Sequence, residues 1–186
     1  MRETDRPRPS PPPVEEEIGP LLRRRGWMLA TAESCTGGGI GARVTAVSGS
    51  SAYYRGGVIA YHNDVKRDRL GVSEETLETH GAVSAQTAAE MARGARQVAG
   101  GRKASVGLSV TGVAGPGGGT EEKPVGTVYI GVSSDEGETV RHFMFSGGRE
   151  SVRNQSRDAA LALLRDHLLG LAPAAEKSAA AGPKEE

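Results

Sequence analysis

Nine consecutive residues, Thr31-Ala-Glu-Ser-Cys-Thr-Gly-Gly-Gly39, set two nucleophile-type side chains, Ser34 and Cys35, between a short apolar run and three glycines. If a strand ends there and a helix begins, a hydroxyl meets the positive end of that helix. Unpaired N–H groups at such a turn can stabilise an oxyanion, and Gly37 and Gly38, lacking side chains, let a substrate come close. The same residues equally suit a plain helix start, with Ser34 and Thr36 bonding backbone and the glycines making a tight turn. Cys35 is intrinsically the readier nucleophile, but a cysteine hydrolase needs a histidine. None of His62, His80, His142 and His167 stands in a recognisable signature. Cys35 also fits as a small buried hydrophobe.

A serine can instead be activated by a lysine whose amine is kept neutral by burial. The chain has 18 arginines and 5 lysines, and an arginine cannot accept a proton at neutral pH, so Lys66 is the candidate base. It follows Val58-Ile-Ala-Tyr-His-Asn-Asp-Val65, which puts Tyr61 at a strand end and Lys66 about one turn into the next helix. Tyr61 could relay a proton or orient the amine, or simply pack at the strand end. Lys66 could equally lie on a solvated helix face beside Arg67 and Arg69.

A second glycine concentration, Val110-Thr-Gly-Val-Ala-Gly-Pro-Gly-Gly-Gly119, follows a strand but lacks both phosphate-loop and dinucleotide patterns. It reads as a flexible or ligand-hugging loop containing Gly112, Gly115 and Gly118. Ser109 lies inside a strand and outside any nucleophile elbow, which disfavours it as a catalyst. Ser50 and Ser51 read as loop residues that cap or contact a ligand. Arg149, after Gly147-Gly148 at a helix start, combines a cation with unpaired N–H groups, which suits a phosphate, and Arg153 one turn later could reinforce it. No His-x-x-x-His, Cys-x-x-Cys or compact aspartate cluster points to a metal.

The elements that would position these residues follow from periodicity. Residues 14–25 suggest a helix interrupted by Pro20 and closed by Gly26, and residues 27–33 a buried strand. Thr36 then caps a helix bearing Ile40, Val44 and Val47. Residues 57–61 form a second strand, and 64–70 and 73–80 carry helix-start chemistry. Ser84, Ala88, Met91, Ala92, Ala95, Val98 and Ala99 recur at helical spacing. Residues 104–111, 126–132 and 139–145 read as strands, the last two as a hairpin with Gly137 in its turn, and 150–169 as a final helix. Alternating strands and helices with a late hairpin give an α/β fold, a layered α/β/α single domain around a mixed β-sheet.

Composition bounds the rest. The 186 residues include 27 glycines and only 4% aromatics, so small aliphatic side chains must build the core. Twenty-three basic against 23 acidic residues leave no broad field for nucleic acid or an anionic membrane, so an anionic ligand must be met locally. The single cysteine rules out an intramolecular disulfide, and no apolar leader or 18-residue apolar run appears, so a soluble cytoplasmic protein is expected. Proline-rich residues 1–13 and the Ala/Pro/charged stretch 171–186 read as disordered tails around a domain at 14–170.

Six blocks in order, Thr31-Ala-Glu-Ser-Cys-Thr-Gly-Gly, Gly49-Ser-Ser-Ala-Tyr-Tyr, Tyr61-His-Asn-Asp-Val-Lys66, His80-Gly-Ala-Val-Ser84, Thr111-Gly-Val-Ala-Gly-Pro and Glu121-Glu-Lys-Pro-Val-Gly-Thr127, closely resemble the CinA C-terminal domain family. That family includes stand-alone nicotinamide-nucleotide amidohydrolases. The resemblance implies deamidation of nicotinamide mononucleotide to nicotinate mononucleotide and ammonia in pyridine-nucleotide salvage. It implies a homodimer, no metal and no cofactor. It places the family's serine, lysine and tyrosine on Ser34, Lys66 and Tyr61, and its substrate-lining positions on Ser51, Thr111, the 112–119 loop and Arg149. Gly117 and Gly148 depart from the family pattern, which often carries acidic residues there. The pyrophosphatase domain of full-length members is not expected ahead of residue 14. A non-catalytic nucleotide-binding or competence-associated protein and a Cys35-dependent amidase are the competing expectations.

Overall fold

The computed structural model describes residues 12–98 and 104–170. The expected tails fall almost wholly outside these residues, as does Ala99 of the helical stripe. In chain order the elements are α1 (Val14–Arg25), β1 (Leu29–Glu33), α2 (Gly39–Ala46), a 3-10 turn (Ser50–Ala52), β2 (Tyr54–Ile59), α3 (Asn63–Leu70), α4 (Glu74–Thr79), α5 (Ala85–Val98), β3 (Val106–Gly112), β4 (Thr127–Ser134), β5 (Gly137–Met144) and α6 (Arg149–Leu168).

Local chemistry explains several boundaries. Glu15, Glu16 and Glu17 open α1 and Arg23, Arg24 and Arg25 close it, each set complementing the helix dipole. Left-handed Gly26 then turns the chain, and the Trp27 amide is taken by the Leu22 carbonyl, so β1 begins two residues later than periodicity suggests. Ser73 caps α4 by accepting from the Thr76 amide. β2 starts earlier than expected, at Tyr54, because Leu29 bonds back to the Tyr53 carbonyl and carries the pairing from there. Gly137 opens β5 opposite Ser134 instead of sitting in the turn, which is made by residues 135 and 136.

The five strands form one mixed sheet in the order β2-β1-β3-β4-β5, with β2, β1 and β3 parallel and β4 and β5 antiparallel. Side chains alternate across it. Leu29, Val106, Leu108, Val110, Val128, Ile130 and Val132 meet Ile18 and Leu22 of α1, Ile40 and Val44 of α2, and Val152, Leu161 and Leu164 of α6. Full burial of each large aliphatic side chain contributes roughly 1.5–3 kcal/mol. The opposite face is built from Ala30, Ala32, Gly107, Ser109 and Gly131, and α5 lies directly on it. A Cβ at Gly107 would fall 2.0 Å from the Ala92 carbonyl oxygen and one at Gly131 2.7 Å from that of Ala88. Ser109 donates to the same Ala88 carbonyl at 2.6 Å, which gives this hydroxyl a purely structural use. Part of the glycine surplus is therefore a seat for a helix. The layers are α/β/α, with the carboxyl ends of β1 and β3 side by side.

Candidate active site

The chain leaves β1 at Glu33 and enters α2 at Gly39 through a turn fixed from three sides. The Ser34 amide donates to the Val110 carbonyl of β3 at 2.9 Å, so the hydroxyl-bearing residue is anchored to the central sheet. The buried Glu33 carboxylate accepts from the amides of Ile40 (3.0 Å) and Gly41 (2.8 Å). Glu33, not Thr36, is thus the cap of α2. Thr36 is fully buried and its hydroxyl has no hydrogen-bond partner among the described residues. Gly37 and Gly38, with φ of 60° and 91°, supply left-handed backbone that other residues would resist. From the third side, Arg153 of α6 donates to the carbonyls of Cys35 (Nε, 3.2 Å) and Thr36 (Nη2, 3.1 Å). Arg153 therefore grips the turn and is not the second phosphate cation that its spacing from Arg149 suggests.

Lys66 comes to this turn from α3. His62 begins that helix, its Nδ1 accepting from the Asp64 amide, and Gly71 ends it in the left-handed region. Lys66 faces inward and is 2% exposed. Its Nζ donates to the Ala60 carbonyl at 2.9 Å and lies 3.2 Å from Ser34 Oγ. Burial pushes the lysine below its ordinary pKa by disfavouring the ammonium form. The neighbouring Cys35 thiol is pushed up to about 11, again chiefly by burial. Of the four histidines, His62 pairs with Asp64, His142 stacks on Tyr129, His167 meets Ser134 and His80 is exposed at the carboxyl end of α4, and none lines the cavity beside Cys35.

Ser34, Cys35 and Lys66 open onto a cavity of about 200 Å³. Thr111 and Gly112 of β3 line it, Thr111 donating to the Ala82 carbonyl at 2.6 Å. Tyr61 and Arg149 form its rim. Tyr61 is 62% exposed, and its hydroxyl accepts from Arg149 Nη2 at 3.0 Å while Arg149 Nη1 donates to the Gly115 carbonyl at 2.7 Å. No hydrogen bond joins Tyr61 to Lys66: β2 ends at Ile59, the next carbonyl, Ala60, accepts from the amine, and the tyrosine hydroxyl goes to Arg149. Ser51 is not brought here either. It is exposed in the 3-10 turn at the amino end of β2, whereas the cavity lies at the carboxyl ends of the parallel strands. Gly37, Gly38, Gly115 and Gly118 also lie off the cavity wall, Gly37 and Gly38 shaping the turn, Gly115 holding Arg149 through its carbonyl and Gly118 standing exposed in the loop beyond it.

Several lining or supporting residues went unnoticed in the sequence. Asn63, Ala82 and Val83 line the cavity, and Glu33 holds the nucleophile turn through the first amides of α2, whereas Ala114 comes from the 112–119 loop already expected to line it. The one signal for Glu33 was a carboxylate at the end of an otherwise uncharged strand. Among the described residues no group of three His, Cys, Asp or Glu side chains gathers as a metal site, and no helix is long and apolar enough to cross a membrane.

The sequence model of the CinA C-terminal domain matches residues 12–168. A CinA-like protein of Acaryochloris marina is 50% identical over 158 residues, covering 84% of this chain and 37% of the relative. A CinA-like protein of Thermosynechococcus vestitus is 53% identical over 156 residues, covering 82% and 36%. The chain thus spans little more than a third of the length of these curated relatives. Among solved structures, the competence/damage inducible protein CihA from Agrobacterium tumefaciens superposes with a TM-score of 0.79 at 42% identity, covering 86% of this chain and 97% of that one. A CinA superfamily protein from Enterobacter cloacae superposes with a TM-score of 0.81 at 30% identity, covering 90% and 99%. With the six-block pattern, the layered sheet and the matched span in agreement, this chain belongs to the CinA C-terminal domain family.

Proposed function

We propose that this chain is a serine amidohydrolase that hydrolyses the carboxamide of nicotinamide mononucleotide, yielding nicotinate mononucleotide and ammonia. The observation that carries this is the buried Lys66 amine 3.2 Å from Ser34 Oγ at the wall of the cavity. As a free base its nitrogen has two N–H groups and one lone pair. One N–H serves the Ala60 carbonyl and the lone pair takes the proton of Ser34. Ser34 Oγ bonds to the amide carbon as the C=O π pair moves to oxygen. The amides of Cys35 and Thr36, which bond no other described residue, are the donors for that oxyanion. Collapse breaks the C–N bond, Lys66 returns its proton to the leaving nitrogen, and ammonia departs. Water, deprotonated by the same amine, attacks the acyl carbon; collapse breaks its bond to Ser34 Oγ, Lys66 returns the proton to that oxygen, and the carboxylic acid leaves and ionises to the carboxylate.

Arg149 at the rim meets the substrate phosphate, and Tyr61 orients the guanidinium instead of serving the base. Family membership supports the reading, while the relatives' names speak only of CinA likeness and competence or damage induction. The high pKa of Cys35 and the position of all four histidines off the cavity wall favour serine over cysteine.

The test is ammonia release from nicotinamide mononucleotide by the purified protein and by Ser34→Ala, Lys66→Met and Cys35→Ala variants. Turnover by the first and last, with roughly a thousandfold or greater loss in the other two, is expected. A wild-type protein that binds the nucleotide without releasing ammonia would make this a binding protein. Loss confined to Cys35→Ala would transfer the chemistry to the thiol.

A further inference from the structure

The last helix holds the nucleophile turn entirely through its main chain. Arg153 stands one turn after Arg149 on α6, and its Nη1 is paired with Glu150 at 2.8 Å. The remaining contacts of its guanidinium go to the carbonyls of Cys35 and Thr36, and the side chain does not line the cavity. In a trans peptide the C=O and N–H point to opposite sides. Drawing the oxygens of Cys35 and Thr36 toward α6 therefore turns the N–H groups of Thr36 and Gly37 away from it. The Gly37 amide closes on the Ser34 carbonyl at 3.1 Å, whereas the Thr36 amide bonds no other described residue. A cation on both carbonyls also polarises these peptides and strengthens their N–H groups as donors. Glu33 supplies the matching hold on the other side of the turn, through the first amides of α2. Arg153 lies against this backbone: a Cβ at Gly37 would be in van der Waals contact with its Nη2, at 3.5 Å.

We infer that Arg153 is a positioning residue for Ser34: through the carbonyls of Cys35 and Thr36 it sets the peptide planes that hold the nucleophile turn and present the Thr36 N–H to a developing oxyanion. The role rests on the amidohydrolase function proposed above, and two readouts let each fail separately. Arg153→Gln and Arg153→Lys are compared with wild type in ammonia release from nicotinamide mononucleotide and in the rate at which a fluorophosphonate labels Ser34, followed by intact mass with Ser34→Ala as the blank. Arg153→Gln lowers kcat by about 10- to 100-fold with KM within about twofold. It slows labelling by a comparable factor. Arg153→Lys, reaching a single carbonyl, falls between the two and carries the test if the glutamine variant does not fold.

Unchanged kcat and labelling in the variants overturn the inference. So does an effect confined to KM, which would put Arg153 on the substrate. If wild type takes the label but releases no ammonia, the proposed reaction falls and the labelling rates alone decide the role of Arg153. A wild-type Ser34 that takes no label overturns both.

Discussion

The amine of Lys66 and the hydroxyl of Ser34 lie 3.2 Å apart, brought together from α3 and the end of β1 in a place where neither side chain is more than 8% exposed. Among the described residues no carboxylate pairs with Lys66, so its charged form has lost hydration without an ion pair in return. Its folded pKa therefore lies below the ordinary 10.5 of a lysine.

Two consequences of that depressed value can be measured. Between the folded pKa and 10.5 the unfolded chain binds more protons, so stability rises with pH across that window. The cost of burying Lys66 is full below the folded pKa and gone above 10.5. Lys66→Met should abolish activity yet raise stability at pH 7 by about 1–3 kcal/mol, an advantage that shrinks toward pH 10. Urea unfolding at the two pH values checks this, and a less stable variant at pH 7 would contradict it. The kcat/KM of the wild type should rise with pH through a single ionisation below 10.5 and then level off.

Tyr61 separates rim from base. Because its hydroxyl meets Arg149 and not Lys66, Tyr61→Phe should raise KM for the nucleotide several-fold and leave kcat within about threefold. A kcat loss near a hundredfold would return the tyrosine to the proton path.

Glycines of the sheet and of the loop should behave in opposite ways. Gly107→Ala drives a methyl to 2.0 Å from the Ala92 carbonyl oxygen, which only a shift of α5 relieves, and should cost roughly 3 kcal/mol or more. Gly117→Ala meets nothing within 4 Å and has no left-handed φ, so it should lie within about 0.5 kcal/mol of wild type. Thermal melts of the pair decide it.

Gly148, where the family pattern often carries an acidic residue, is the N-cap of α6 with extended backbone (φ −75°, ψ 172°) and no side-chain cap. Gly148→Asp should supply the missing acceptor and stiffen the unfolded chain, adding about 1 kcal/mol, or a few degrees in Tm. The same carboxylate beside Arg149 should weaken binding of the anionic substrate, seen as a higher KM. A lower Tm would refute the capping half of this expectation.

Elements governed by neighbours in sequence were legible. The bounds of α1, the Ser73 cap of α4 and the inward stripe of α5 follow from dipole, cap and period within a few residues. Features closed by distant groups were not. Thr36 precedes three glycines and looks like a cap, yet α2 begins at Gly39 and its first amides, those of Ile40 and Gly41, are taken by a carboxylate reaching across seven and eight positions from β1. Arg153 repeats Arg149 at helical spacing, but its target lies 117 and 118 residues away. Ser51 matched by motif and missed by topology, since a parallel strand carries its two ends to opposite edges of the sheet.

The seating of α5 on β3 and β4 also divides the cavity by its dynamics. Ser34 is tied by its amide to Val110, in a central strand flanked on both sides and covered on both faces, so releasing it requires opening much of the domain. In amide hydrogen exchange that half should be among the slowest to gain deuterium. The rim formed by Arg149 and Tyr61 is held by two side-chain bonds, one of them to the Gly115 carbonyl next to the exposed 116–119 segment, and should lie at the fast end. A ligand can therefore rearrange the rim around itself while the serine and its lysine stay where the sheet has put them.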